Sequence, residues 1–291
     1  MKSNENVRVV VLNYNNYEDT INLSYDLIQQ KNVNLDIVIV DNCSTDNSLK
    51  ILNENLNFPN ISIIRSEKNG GYAYGNNYGL NYINEADNKY AAILNPDIRI
   101  QDNNLFNKLI YRYKTLTNPG FIAPASIDDA GNINNYCAKK VPTFNHEIFS
   151  SFLIFSKFIS NLNTYPLNKT DKKNLNVEML SGSFLFINFD LLRAIEFFDE
   201  GTFLFCEERI LSHKIKGIKA NNYLLRDMFI KHNASTTIGS LYTNTEQLSI
   251  LHKSLLYYIK NYLPNGKIKC IVIFPFLKLK VLQMKILNFL N

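Results

Sequence analysis

The stretch 89–100, reading K-Y-A-A-I-L-N-P-D-I-R-I, constrains the architecture most strongly. Residues 90–94 form a short unbroken apolar run, the pattern of a strand buried on both faces of a sheet. The run stops at Asn95-Pro96-Asp97, because proline has no N–H to give to a sheet ladder. An acid directly after a buried strand stands at the carboxyl edge of an open α/β sheet, where ligands bind. Asp97 is therefore the first candidate site residue, as a ligand of a divalent cation or as a cap on its own loop amides.

Similar runs flank this stretch. Residues 7–12 read as a first strand, ended by Asn13-Tyr14-Asn15-Asn16, and the helix that follows places Ile21, Tyr25 and Ile28 on one face. Residues 36–40 read as a second strand running into Asp41, with Ser44 as N-cap of a helix carrying Leu49, Leu52 and Leu56. A third strand is expected at 61–64, and Asn69-Gly70-Gly71 breaks the chain before a helix near 76–84. Further on, Asp102 can cap a helix through Leu105, Leu109 and Tyr113, and 121–125 reads as another strand. Residues 139–176 carry prolines and many asparagines without a clear period, and short strands are expected at 223–225 and 228–230, just before His232. Strand–helix alternation with short connections predicts an α/β fold with a Rossmann-like, mostly parallel sheet flanked by helices. In such a sheet Asn13, Asp41 and Asn95 with Asp97 share one rim, although loop solvation alone explains a polar residue at any one of these positions.

Charge and cysteine usage narrow the classes. The four cysteines form no C-x-x-C pair, which argues against a zinc site or a disulfide framework and for reduced thiols. The polar start Met-Lys-Ser-Asn-Glu-Asn has no apolar signal region, and no run approaches the ~18 apolar residues of a membrane span, so a cytoplasmic protein is expected. The net charge is +5, yet seven lysines and no acid follow Glu246. A basic segment on a near-neutral body suggests a polyanionic surface. Within it, Leu279, Leu282, Ile286 and Phe289 fall on one helical face, which suits the surface of an anionic bilayer or a terminal helix docked on the domain.

Several nucleotide motifs are absent. Gly70 and Gly75 have the spacing of a phosphate-binding loop, but Asn76-Asn77 replace its Lys-Ser/Thr, and G-x-G-x-x-G does not occur. Residues 13–17 lack the Gly and the base of a nucleotidyltransferase loop. Instead V-V-V-L-N-Y-N-N, I-V-I-V-D-N-C-S-T-D-N-S, N-G-G-Y-A-Y-G-N-N-Y-G-L, L-N-P-D-I and F-D-E-G-T-F-L-F-C-E-E occur in that order. Together they resemble family 2 glycosyltransferases of the GT-A fold, especially the bacterial rhamnosyltransferase-like enzymes of polysaccharide synthesis. The resemblance runs from Val7 to His232, with an extension towards Gly239.

The resemblance implies a catalytic domain over 1–247, with a nucleotide-sugar half over about 1–100 and an acceptor half over about 101–247, and a basic C-terminal tail over 248–291. It implies that Asn13, Tyr14 and Asn15 border the nucleobase mainly through backbone, and that Asp41 accepts from a ring N–H or the ribose. Asn69, Gly70 and Gly182 would let backbone approach the nucleotide and its sugar. Asn95 and Asp97 take the two ends of the family's D-x-D, the first acid being replaced by an amide. Asp97 and His232 would hold Mg2+ or Mn2+. Glu208 takes the base position and Glu207 is its runner-up or orienting partner, while Ile210 stands where the family often has a further acid. Dipole stabilisation at a helix N-terminus is the plainer reading of both glutamates. The implied activity is inverting transfer of a sugar from a nucleoside-diphosphate sugar, such as dTDP-rhamnose or a UDP-hexose, to a hydroxyl of a saccharide. That acceptor would be lipid-linked, in capsule or cell-surface polysaccharide synthesis at the inner face of the membrane, with no nucleic acid partner. A non-catalytic sugar-binding subunit of the same fold and a nucleotidyltransferase are the rival readings.

Overall fold

The computed structural model describes residues 5–84, 86–128, 130–152, 163–232 and 243–290. The expected extension towards Gly239 and the side chains of Lys285 and Phe289 lie outside the described residues. The first four apolar runs become β1 (Asn6–Asn13), β2 (Asn34–Asp41), β3 (Ile61–Arg65) and β4 (Asn88–Leu94), hydrogen-bonded in parallel in the order β3-β2-β1-β4. Val9, Val10, Ile37, Val38, Ala92 and Ile93 are fully buried. The strands β1, β2 and β4 are buried on both faces, which is why their sequences are continuous rather than alternating.

Helices α1 (Tyr17–Ile28) and α2 (Ser48–Asn55) cover one face through Leu23, Leu27 and Leu52. Helix α3 (Gly71–Leu80) covers the other, where Ala73 and Leu80 pack on Val10 and Val38. Two local expectations shift. Ser44 does not cap α2, whose N-cap is Asn47, because the Ser44 hydroxyl is drawn into the end of β1. α3 begins at Gly71 rather than near Asn76, directly from the glycine turn.

The second half of the sheet is mixed. β5 (Ile98–Arg99) follows the proline, and α4 (Leu105–Thr115) then packs Phe106 and Leu109 into the first core, with Asn104 rather than Asp102 at its N-cap. β6 (Pro119–Ile127), β7 (Ala138–Lys139), α5 (Phe144–Ser150), β8 (Asn174–Val177), β9 (Met179–Leu180) and β10 (Phe184–Asn188) come next. Then follow α6 (Phe189–Ala194), α7 (Glu207–Gly217) and β11 (Asn221–His232). The two short strands expected before His232 are one strand, β11, with a register slip between Leu225 and Phe229. β10 runs antiparallel to both β4 and β6, and β11 is parallel to β6. β10 therefore starts, and β11 ends, at the rim where β1, β2 and β4 finish. This direction brings Gly182, Ser183 and His232 to the same edge as Asn13 and Asp97.

The basic segment folds as α8 (Asn244–Tyr262), opened by a Thr243–Glu246 capping box, and α9 (Gly266–Leu290). Leu255, Ile259, Ile273 and Leu277 bury against Cys206 and Ile210 at the start of α7. Asp199 ties the packing down by accepting from Tyr257 (2.9 Å) and from Tyr262, and Ser254 donates to the Leu204 carbonyl (2.7 Å). The outer side of α9 leaves Ile268, Ile271, Val272, Phe274, Leu282 and Ile286 exposed. Among the described residues, no helix is long and apolar enough to cross a membrane.

Candidate active site

The ends of β1 and β2 are knotted together. Asn13 stands opposite Asp41 in the parallel register, and both side chains are fully buried. The Asn13 amide donates to Asp41 Oδ1 (3.0 Å) and to the Ser44 hydroxyl (3.2 Å), while its oxygen accepts from Thr20 (2.9 Å). The Ser44 N–H donates to Asp41 Oδ2 (3.2 Å), and Arg65 Nε lies 3.8 Å from that oxygen. Asn15 adopts a left-handed φ of 50° and exchanges hydrogen bonds with Thr45 through its amide. Tyr14 is partly buried in the same turn. Asp41 thus spends both oxygens inside the rim, leaving only spare lone pairs for a ring N–H or ribose.

The glycine turn joins this rim to the opposite wall. Asn69 Oδ1 accepts from the Gly71 N–H (3.1 Å) and from the Asn42 amide (3.0 Å). Gly71 has φ +87°, and a Cβ there would fall 1.9 Å from the Phe203 carbonyl oxygen. That carbonyl accepts from the Tyr72 N–H at 2.9 Å, so only glycine lets the turn meet the segment leading to Glu207. The position that demands glycine is Gly71; a Cβ on Gly70 would meet only the neighbouring Tyr74 side chain.

Asp97 and His232 are brought together by the pairing of β5 with β11, in which His232 stands opposite Ile98. His232 Nε2 lies 3.3 Å from Asp97 Oδ1, yet that oxygen is buried and accepts no hydrogen bond. The two groups are close, but the contact does not satisfy the buried carboxylate oxygen. Beside it, the Asn95 N–H donates to the Ser183 carbonyl (2.9 Å).

Glu207 and Glu208 follow two consecutive left-handed residues, Phe205 (φ 71°) and Cys206 (φ 70°). Neither is glycine, and such conformations concentrate at functional sites. Glu208 Oε1 accepts from the Gly182 N–H (3.2 Å), while the Tyr72 hydroxyl donates to the Gly182 carbonyl (2.7 Å). A Cβ at Gly182 would lie 3.1 Å from the Glu208 oxygen and 3.2 Å from the Tyr72 oxygen, tighter than ordinary contact. Glu207 is turned inward: it is 5% exposed, its Oε1 has no hydrogen-bond partner, and burial, then the charge of Glu208, push its carboxyl up to about 8.

Tyr72 links the two halves. Burial raises its phenol well above the usual value, and the charges of Glu208, Glu207 and Asp97 add to that shift. One side chain therefore feels the carboxylates of both walls. Sequence reasoning passed over Tyr72; its place directly after Gly70-Gly71 was the available signal. It also passed over Asn42, and it gave Asp199 no structural role. Lys214, on the same helix as Glu208, is occupied in capping α6 by donating to the carbonyls of Ile195 and Phe197 (both 2.9 Å).

Glu208 opens on a cleft of about 660 Å³, lined also by Tyr136, Lys139, Ser181, Arg209 and Lys280. An adjoining cavity of about 60 Å³ is lined by His232, Ser183, and again Tyr136 and Ser181. Glu208 and His232 thus face neighbouring spaces that share two residues.

A parallel nucleotide-type half-sheet continued by a mixed half, with acids gathered at the shared rim, is the architecture of a GT-A glycosyltransferase. The glycosyl transferase family 2 model matches residues 8–195, and the chain belongs to that family. It is 27% identical over 147 residues to rhamnosyltransferase WbbL of Escherichia coli, covering 47% of this chain and 51% of that protein. It is 26% identical over 206 residues to the low-salt glycan biosynthesis hexosyltransferase Agl10 of Haloferax volcanii, covering 70% and 59%. The chain thus spans between half and three-fifths of the length of these curated relatives. Among solved structures it resembles the mannosyltransferase PcManGT of Pyrobaculum calidifontis in complex with GDP-Man and Mn2+, with TM-score 0.58, 14% identity, and 96% and 70% of the two chains covered. It also resembles S. aureus TarS 1-349 in complex with UDP-GlcNAc, with TM-score 0.55, 18% identity, and 91% and 69% covered.

Proposed function

We propose that this chain is an inverting glycosyltransferase that moves a sugar from a nucleoside-diphosphate sugar to a hydroxyl of a saccharide acceptor. The observation that carries the reading is the placing of two groups at one rim: His232, 3.3 Å from Asp97, lines a cavity that shares Tyr136 and Ser181 with the cleft lined by Glu208.

Asp97 and His232 fit a divalent cation, because a buried carboxylate oxygen without a hydrogen-bond partner faces an imidazole nitrogen 3.3 Å away. Among the described residues no three His, Cys, Asp or Glu side chains converge, so these two would hold Mg2+ or Mn2+ with the diphosphate and water completing the oxygen-rich shell such ions prefer. Bound there, the ion would neutralise charge on the leaving diphosphate.

The remaining chemistry is the chain's own. Glu208 faces the cleft and takes the proton from the acceptor hydroxyl, oriented by the Gly182 N–H. Burial and the charge of Glu208 hold the Glu207 carboxyl well above its usual range, which favours its neutral form behind the base. Glu207 does not line the cleft, and a base must first reach the proton it takes. Direct attack on the anomeric carbon needs no covalent intermediate, and it inverts the centre. The donor is read as dTDP-rhamnose or a UDP-hexose, in keeping with the names of the two curated relatives, and the pathway as capsule or cell-surface polysaccharide synthesis. Incubating the protein with nucleotide sugars, with and without Mn2+, tests the reading: slow metal-dependent hydrolysis of one donor supports it, and inertness towards all of them contradicts it.

We also read α9 as the surface that meets an anionic membrane at the inner face of the cell. Its outer apolar side chains alternate with Lys267 and Lys269. Replacing Lys267 and Ile271 with Gln weakens binding to anionic liposomes, since each such lysine contributes about 1 kcal/mol. Undiminished sedimentation with the vesicles would leave α9 a purely structural role.

A further inference from the structure

We propose that the outer face of α3 binds a neutral oligosaccharide, at a site distinct from the cleft lined by Glu208. The site does not depend on the transfer reading above and would stand without it.

Residues 74, 77, 78 and 81 recur at the i, i+3, i+4, i+7 spacing of one helical face. That face carries two tyrosines and two asparagines, and Tyr82 follows one turn beyond Tyr78. Tyr72 points the opposite way, since residues two apart lie about 200° round a helix. Its hydroxyl reaches Gly182, so the outer row is turned away from the wall that holds Glu208. Tyr74, Tyr78 and Tyr82, with Asn77, Asn81 and Glu200, line a groove of about 550 Å³. This groove shares no lining residue with the cleft of Glu208 or the cavity of His232.

The tyrosines form a platform rather than part of a closed core. The rings of Tyr74 and Tyr78 stand 6.1 Å apart with 37° between their planes. Cations steady the two ends of the row: Lys68 Nζ lies 5.4 Å from the Tyr74 ring, and the Arg8 guanidinium 5.9 Å from that of Tyr82. None of the three hydroxyls has a hydrogen-bond partner among the described residues. The Asn77 amide donates to Glu200 Oε1 (2.8 Å), which leaves the second oxygen of this exposed carboxylate free to accept.

The ligand's chemistry follows from this lining. A sugar ring presents C–H groups on its faces and hydroxyls round its edge. An aromatic face is the negative side of the ring quadrupole and attracts C–H groups. Phenols, amides and a carboxylate supply both donors and acceptors for the hydroxyls. No lysine or arginine lines the groove and Glu200 is its one charged group, which disfavours phosphates, nucleotides and acidic glycans. Its aliphatic side chains are limited to Ile64 and Ile83, little for the apolar centre of a protein interface. Tyrosines four residues apart are set about 6 Å along the helix, which suits successive sugars of a chain better than a single one.

The test applies the full chain, without donor, to an array of neutral oligosaccharides of hexoses, deoxyhexoses and N-acetylhexosamines. Calorimetry then gives the affinity for the best-bound member. At least one neutral oligosaccharide is retained, and its monosaccharide binds more weakly. Tyr78→Ala weakens binding about tenfold or more, whereas Tyr78→Phe, which keeps the ring, stays within about threefold. Asn81→Ala, at an exposed position where folding is not at stake, weakens it about fivefold, the scale of one hydrogen bond. Glu208→Gln binds the same saccharide as the parent does. An array with nothing retained overturns the proposal, and so does affinity indifferent to Tyr78→Ala and Asn81→Ala. Affinity lost in Glu208→Gln would assign the saccharide to the cleft instead. A parent that sediments as a dimer and a Tyr78→Ala chain that does not would assign the groove to a second copy. Failure of the transfer reading would show separately, as inertness towards nucleotide sugars with array binding intact.

Discussion

The two sides of the rim differ in how their polar groups are satisfied. On the wall built by β1 and β2, Asn13, Asp41, Ser44 and Thr20 satisfy one another inside the protein. On the wall built by β5, β11 and α7, buried carboxylate oxygens of Asp97 and Glu207 have no hydrogen-bond partner. Buried polar atoms are rarely left so, because each costs about 1–3 kcal/mol. The contrast teaches that the first side is internally satisfied, whereas the second holds buried oxygens still able to accept.

Substitutions on the two walls should fail in different ways. The largest effect is expected for Asp97→Ala, which lowers donor turnover beyond about a thousandfold, since cation-assisted charge neutralisation is worth several kcal/mol. Turnover that persists while the protein remains folded would remove Asp97 from the reaction. Glu208→Gln comes next, with nucleotide binding retained and transfer reduced by about 10²–10⁴-fold, the range of general-base catalysis. A larger loss in Glu207→Gln would move the base by one residue. On the first side, Asn13→Ala lowers stability by about 1–3 kcal/mol, because it takes the amide donor from the fully buried Asp41 Oδ1. A thermal melt unchanged from the parent would show that the knot carries no stability.

The smallest effect sharpens the comparison through pH. Glu207 holds its proton up to about pH 8 in the folded chain, against an ordinary value of 4.5. The folded state therefore binds more protons than the unfolded one between these values, and stability falls as pH rises through that window. The contribution is complete below about pH 4.5 and lost above about pH 8. Glu207→Gln flattens that slope in melts between those pH values; an identical slope would mean that Glu207 ionises normally.

Much of the site was legible because motifs at strand ends are local. The proline after β4 marked the rim, and the order of the five motifs identified the family before any coordinate. Asp97 and Glu208 were placed at that rim and at the start of a helix in this way, as the structure also has them. Other features were not, because they depend on partners distant in sequence. Ser44 read as a helix cap, since a hydroxyl near a helix start is a good cap in isolation; a buried asparagine across the sheet claims it instead. Ile210 stands where the family often has a further acid, and its packing under α8 and α9, 1% exposed, was not legible locally. Asp199, before the strand–helix unit, carried no local signal of its partners, yet two tyrosines from α8 fasten onto it.

Taken alone, the sequence determined the parallel half of the sheet, the rim that ends it and the acids placed there, because apolar runs and their breakers act over a few residues. The tertiary structure alone decided that β10 runs antiparallel to β4, that Asp97 and His232 converge, and that α9 lends Lys280 to the cleft. Those outcomes depend on strand direction and on packing between segments far apart in the chain, which no local pattern encodes.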